Sequence, residues 1–190
     1  MNMIHHWLCQ SPGWRKAIKT LVPWAMEGLT LGRDVLEIGP GFGVTTDLIR
    51  PAVENLTCVE IDSELAQSLR GRMTGEGVKV LCENATSMSI ESASFDAVVC
   101  FTMLHHVPSP LMQDRLFSEV ARVLRPGGIF LGTDSLHSRV FRMLHLFDTM
   151  VVAPPQTHPD RLRTAGFAGV DVDVGRSAFR FRARKTTVKL

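Results

Sequence analysis

The residues in this chain that could do chemistry begin with a carboxylate and alternating glycines: Glu37, Gly39, Gly41 and Gly43, in Val35-Leu36-Glu37-Ile38-Gly39-Pro40-Gly41-Phe42-Gly43. Glycines so spaced let a backbone approach a ligand closely, with amide N–H groups aimed at it. A dinucleotide turn wants its third glycine three residues after the second. Val44 stands there, and Gly43 comes one residue early. A carboxylate at Glu37 is ill placed beside a pyrophosphate and well placed beside a cationic ligand. Further on, Glu60 can accept both hydroxyls of a ribose. Histidine is the side-chain type best suited to general-base work at neutral pH, so the adjacent His105 and His106 are candidates to take a proton from a nucleophile.

These residues need elements to hold them. The apolar run 33–38 that feeds the glycines reads as a buried parallel strand, and 45–50 as a helix stopped by Pro51. Strands are expected at 56–62, 78–82, 95–102 and 128–133. Helices are expected at 63–73 and 111–124, the latter ended by Arg125-Pro126-Gly127-Gly128. Alternation at this spacing predicts an α/β fold with a parallel, doubly wound sheet whose ligand crevice lies beyond the carboxyl ends of the strands. Residues 2–29 read as one or two amphipathic helices broken at Ser11-Pro12-Gly13, with Pro23 expected to kink or end the second. After the fifth strand come an apolar helix over 136–152, a short helix at 159–165, and a hairpin of strands at 170–174 and 178–183.

The ordered set Glu37 to Gly43, Glu60, Phe95-Asp96, Leu104 to Val107 and Arg122 to Gly128 resembles the class I S-adenosylmethionine (SAM)-dependent methyltransferases. Their first motif is an acidic residue followed by G-x-G-x-G, and related chains carry L-H-H-x-P and then R-V-L-x-P-G-G. The resemblance implies a Rossmann-like seven-stranded sheet, mostly parallel with a C-terminal antiparallel hairpin. It implies SAM as cofactor, with Glu37, Gly39, Gly41 and Gly43 at the turn, and Glu60 with its neighbour Ile61 at the ribose. Asp62 competes with Glu60, but its place before Ser63-Glu64-Leu65 suits a helix N-cap better. At the position where the family usually carries an aspartate for the adenine amine stands Asn84, with Ala85 offering a backbone N–H. Phe101 and the residues after it would lie across the methionine part. The implied reaction is in-line transfer of a methyl group from SAM to a small or lipid-like acceptor, as in the ubiquinone and phospholipid branches. His105 and His106 are the catalytic candidates, although a histidine in such a loop also packs and bonds to backbone.

Size and composition fit one domain: helices over 1–29, a SAM-binding core over 30–134, and a lid segment with the terminal hairpin over 135–190. The chain has 190 residues, 45% hydrophobic and 21% charged, with a formal net charge of +2, too small to point to nucleic acid or membrane. No apolar run approaches the roughly 20 residues of a membrane span. The start, Met1 to Trp7, has neither a basic region nor an apolar core, so no secretory signal is expected. Cys9, Cys58, Cys82 and Cys100 are far apart and read as buried reduced thiols of a cytoplasmic protein, with no metal site. The main alternative is an RNA adenine methyltransferase, which the glycine motif and Val59-Glu60-Ile61-Asp62 also resemble. Those enzymes carry N-L-P-[FY] after the fourth strand, where this chain has Phe101-Thr102-Met103-Leu104, and a basic C-terminal domain, which is not expected here. The other alternative is a non-catalytic SAM-binding partner subunit.

Three further expectations concern the periphery. Arg180, Arg182 and Arg184 alternate with Phe179, Phe181 and Ala183, and read as the solvated face of a strand. His145 and Asp148 read as a solvated pair on one helix face. The N-terminal helices, the His105-His106 loop and the stretch 136–155 are expected to form an apolar lid on the substrate side.

Overall fold

The computed structural model describes residues 3–144 and 149–187. Its parallel core is β1 (Asp34–Ile38), β2 (Asn55–Glu60), β3 (Val78–Cys82), β4 (Phe95–Phe101) and β5 (Leu124–Ser135). The hairpin strands β6 (Phe167–Val174) and β7 (Ala178–Lys185) complete one sheet in the order β3-β2-β1-β4-β5-β7-β6. β7 is antiparallel to both of its neighbours, and the other pairs run parallel. The expected mostly parallel sheet with a C-terminal antiparallel hairpin is what forms. Strand order reverses between β1 and β4, and a doubly wound sheet opens its crevice at that point.

Apolar side chains cover both faces of the sheet, which is why its strands read as continuous hydrophobic runs. On one face Leu36, Ile38, Val98, Phe130, Phe179 and Phe181 pack under α5 (Pro110–Val123) and α7 (His158–Thr164). On the other, Val35, Leu56, Val99 and Leu131 meet α2 (Pro12–Met26), α3 (Val44–Ile49) and α4 (Ser63–Arg72). The R-V-L-R-P-G-G stretch holds this frame together. Arg122 donates to Ile90 O at 2.7 Å and Met88 O at 3.0 Å, anchoring the polar loop after β3. Arg125 pairs with Asp96 at 2.5 Å and Asp34 at 2.9 Å.

The leading helices are α1 (Met3–Gln10) and α2, broken as expected at Ser11. The Ser11 hydroxyl caps α2 by accepting the Trp14 N–H at 3.1 Å. Pro23 does not end this helix, which runs through it to Met26. A proline in the last turn removes a single intrahelical bond, and the open carbonyls of that turn are met from outside. Arg182 reaches Ala25 O at 3.0 Å and Trp24 O at 3.2 Å, and Arg180 reaches Trp24 O at 2.5 Å. Arg180 also lies over the Trp24 ring, 5.0 Å from its centroid, and pairs with Asp173 at 2.6 Å. Of the arginine stripe expected to face solvent, Arg184 is exposed, but Arg180 and Arg182 form a clamp on α2, their guanidiniums acting at the negative end of the helix dipole.

Two other boundaries differ from expectation. Arg125 to Gly128 lie within β5, which also extends beyond Thr133 because β7 pairs along it as far as Ser135. Of the apolar helix expected over 136–152, the described residues form α6 (Arg139–Leu144), and 149–152 are not helical. His145, Phe147 and Asp148 lie outside the described residues, so their pairing and packing do not enter. Past them the chain is non-helical and tied to the His105 loop: the Val151 N–H donates to His105 O, and Gln113 Nε2 donates to Val151 O, both at 2.8 Å. Of the cysteines, Cys58 and Cys100 are buried as expected, but Cys82 is exposed because β3 is an edge strand. Among the described residues no helix is long and apolar enough to cross a membrane.

Candidate functional site

At the carboxyl ends of β1, β2 and β4 lies a crevice of about 450 Å³, walled by the glycine turn, the β2 and β3 ends, the His105 loop, α1 and α2. Gly39, Gly41 and Gly43 all have left-handed backbones, with φ of 67°, 54° and 74°. Gly41 presents bare backbone to the crevice, and a side chain there would meet nothing within 4 Å. Gly43 does not line the crevice. It caps α3, and a side chain on it would strike Leu69 and Arg72 of α4. Its glycine is required by helix packing, while Gly39 sits beneath Met103 at the crevice wall.

Glu37 is also not brought to the crevice. Its carboxylate is buried below the turn, accepting the Thr45 hydroxyl, the Thr46 hydroxyl at 2.6 Å and the Cys58 thiol at 3.6 Å. Burial pushes its pKa up, against the lowering effect of those donors. These hydroxyl contacts fix the first turn of α3 to β1. Cys58, beside it, is pushed up mainly by burial and stays a thiol.

Glu60 closes β2 and faces the crevice. One carboxylate oxygen accepts the Gly41 N–H and the other the Asp62 N–H, each at 3.0 Å. Each oxygen keeps a second acceptor site. Asp62 caps α4, taking the Glu64 and Leu65 N–H groups at 3.0 and 3.1 Å, as its position suggested. Ile61, 67% exposed, and Ala85 both line the crevice. Asn84 lines it too, but its Oδ1 accepts both the Thr86 N–H at 3.0 Å and the Thr86 hydroxyl at 2.9 Å. The side-chain carbonyl expected for an adenine amine is thus engaged in an Asx turn.

Phe101 ends β4 in the crevice wall, and Thr102 then takes φ of 51°, a left-handed strain at a non-glycine residue. That turn sends the chain into the short 3-10 segment Leu104–His106. His105 is 2% exposed, with its N–H on Asp134 Oδ2 at 2.9 Å and its Nδ1 2.5 Å from Asp134 Oδ1. Its ring lies against His106 at 4.2 Å and Phe141 at 4.9 Å between centroids. Asp134, the partner of His105, was not singled out by sequence reasoning, since the fifth strand seemed complete one residue earlier; a carboxylate at the carboxyl end of a sheet strand was the available signal. Gln113, fully buried, was also missed. It joins Leu104 O, Val151 O and Arg161, so α5 holds the His105 loop and the returning chain together.

The crevice's carboxylates are Glu60, Asp62 and Glu83, and no lysine or arginine lines it among the described residues. A dinucleotide's phosphates would find no cation there, whereas a cationic nucleoside with a ribose diol fits this donor and acceptor set. The fold and the crevice define a doubly wound domain for such a ligand. Comparison with known proteins agrees. A family model described as "Methyltransferase domain" matches residues 36–132, half of the chain. The chain belongs to the class I SAM-dependent methyltransferases, and SAM is its cofactor. A protein of Mycolicibacterium smegmatis, described as a probable S-adenosylmethionine-dependent methyltransferase, is 36% identical over 100 residues, covering 53% of this chain and 37% of its own. A ubiquinone biosynthesis O-methyltransferase of Xanthomonas axonopodis is 33% identical over 106 residues, 54% of this chain and 43% of its own. The chain thus spans less than half the length of these relatives. Phosphoethanolamine N-methyltransferase 2 of Haemonchus contortus shares the fold, with a TM-score of 0.77 at 16% identity over 97% of this chain and 56% of that one.

Proposed function

We propose that this crevice binds SAM and directs its methyl group to a small, largely apolar acceptor in line with the breaking bond. The observation that carries the reading is Glu60, held by two backbone N–H groups at the foot of the bare Gly41 backbone in a crevice without basic residues. In this reading Glu60 receives the ribose hydroxyls, with Ile61 and Ala85 against the adenine. Gly39, Gly41 and Phe101 flank the methionine part. Glu37, Gly43 and the Asn84 carbonyl act one step back, shaping the turn and loop that do the holding. When bound, SAM supplies a methyl group on an electrophilic sulfonium. The chain then has only to orient the acceptor and exclude water, contributions worth several kcal/mol.

His105 is the proposed proton acceptor and Asp134 its positioning residue. The Nδ1 contact with Asp134 fixes the orientation of the ring at the crevice wall. His106, its ring tilted against that of His105, borders the acceptor. Trp14 of α2, Leu8 of α1, Phe141 and Thr149 line the same side, which supports the lid reading of the N-terminal helices and 136–155. The near-neutral charge and the likeness to a ubiquinone O-methyltransferase support a small-molecule acceptor over nucleic acid, and the widely spaced cysteines support a cytoplasmic enzyme. A turnover screen of SAM against pooled metabolites and lipid extracts tests the reading. Methylated product from the small-molecule pool is expected; turnover on RNA alone would overturn it.

A further inference from the structure

The glycine turn at the crevice wall has little of its own to hold its shape. Gly39, Gly41 and Gly43 all sit at positive φ, and glycine loses more conformational freedom on ordering than any other residue. What fixes the turn comes from its flanks. On the N–H side, Gly39 donates to Val59 O at 2.9 Å and Gly41 to Glu60 at 3.0 Å. On the carbonyl side stands Arg72, the last residue of α4, which does not line the crevice. Its Nη2 donates to Phe42 O at 3.2 Å and Gly43 O at 3.1 Å, and its Nη1 pairs at 2.5 Å with Asp47, in the first turn of α3. A side chain on Gly43 would fall on this guanidinium, so the glycine and the arginine are fitted to each other. α4 thus grips the turn from both of its ends. At its start Glu60 accepts the Gly41 N–H with one oxygen and the N–H of the capping Asp62 with the other. At its end Arg72 takes the carbonyls.

We infer that Arg72 is a positioning residue for the cofactor: from outside the crevice its guanidinium holds the Phe42 and Gly43 carbonyls, and so keeps the Gly41 backbone and the Glu60 carboxylate in binding geometry before the ligand arrives. This inference rests on the SAM reading of the crevice. Order already present in the free protein lowers the entropy lost on binding. A guanidinium suits the task because its planar fork reaches two carbonyls and a carboxylate at once, whereas an ammonium offers a single centre. The side chains of Arg72 and Asp47 are 42% and 43% exposed, and ion pairs so exposed contribute little to global stability. Loss of affinity is therefore separable from loss of fold.

The test titrates the whole chain and its variants with S-adenosylhomocysteine by calorimetry. Arg72→Met should weaken binding about tenfold, with the melting temperature of the free protein lowered by about 3 °C or less. Arg72→Lys keeps the charge without the fork and should bind as weakly as Arg72→Met. Arg50→Met removes a nearby guanidinium that bonds to Val53 O and Glu76 O rather than to the turn, and should bind like the parent. In the Glu60→Ala background Arg72→Met should cost about threefold or less, because the carboxylate that Arg72 helps to align is gone. Unchanged affinity in Arg72→Met overturns the inference, as does full rescue by Arg72→Lys or an equal loss in both backgrounds. Failure of the parent to bind S-adenosylhomocysteine overturns the cofactor reading, and the inference with it.

Discussion

At the scale of single residues, two glutamates that look alike in sequence have opposite surroundings. Glu60 faces the crevice and Glu37 is sealed beneath it. Glu60→Ala should weaken SAM binding by about 1.5–3 kcal/mol, roughly ten- to a hundredfold, by removing charge-assisted bonds. Asp62→Ala should instead cost about 1 kcal/mol of stability through the lost cap, with little change in affinity. Calorimetry and thermal melts on both variants separate these roles, and the reverse pattern would make Asp62 the ribose ligand. Glu37→Ala should destabilise by about 2–3 kcal/mol because the Thr45 and Thr46 hydroxyls lose their buried acceptor. Glu37→Gln should cost much less in urea titrations at neutral pH, since the carboxylate it replaces is penalised by burial. For Asp134→Asn we expect turnover to fall about a hundredfold or more, with a change of His105 tautomer visible in its ring nitrogen shifts. A fall in turnover with the tautomer unchanged would reduce Asp134 to a loop anchor.

At the scale of elements, the two ends of the chain stabilise one another. Arg180 and Arg182 of β7 hold the last turn of α2, whose other end presents Trp14 to the crevice. Arg182→Ala should raise amide exchange across α2 and lower stability by about 1–3 kcal/mol. At the start of α7, His158 is buried among Phe117, Phe179 and Phe181, with centroids 5.9, 4.7 and 5.4 Å away. Burial pushes its pKa down from 6.5 to about 4, and its Nε2 has no hydrogen-bond partner. The unfolded chain therefore takes a proton as pH falls past 6.5, whereas the folded chain resists until about 4. Stability is full above that window and declines through it, by at most about 3 kcal/mol. In chemical denaturation between pH 7 and 4, His158→Phe should lose less stability than the parent. Parallel curves would show that the ring does not resist protonation.

For the whole molecule, the sheet and the glycine turn were legible because they follow from local chemistry. Buried parallel strands read as apolar runs, and left-handed turns demand glycine. The reversal from β1 to β4 follows from right-handed crossovers. Less legible was anything decided by contacts distant in sequence. The arginine stripe has the period of a solvated strand face, and only the placement of α2 over β7 makes Arg180 and Arg182 a clamp. Asp134 carries no motif, and its meaning comes from His105, which lies across a strand boundary. Glu37 was legible as essential to the motif but not as buried, since an acidic residue beside glycines can face either way. The central claim is that this crevice, through the Gly41 backbone and Glu60, holds SAM. A calorimetric titration of the parent protein and Glu60→Ala with SAM, and of the parent with NAD, tests it most directly. The account predicts affinity in roughly the micromolar range for SAM, a loss of ten- to a hundredfold in the variant, and no binding of NAD; tight NAD binding with none of SAM would contradict it.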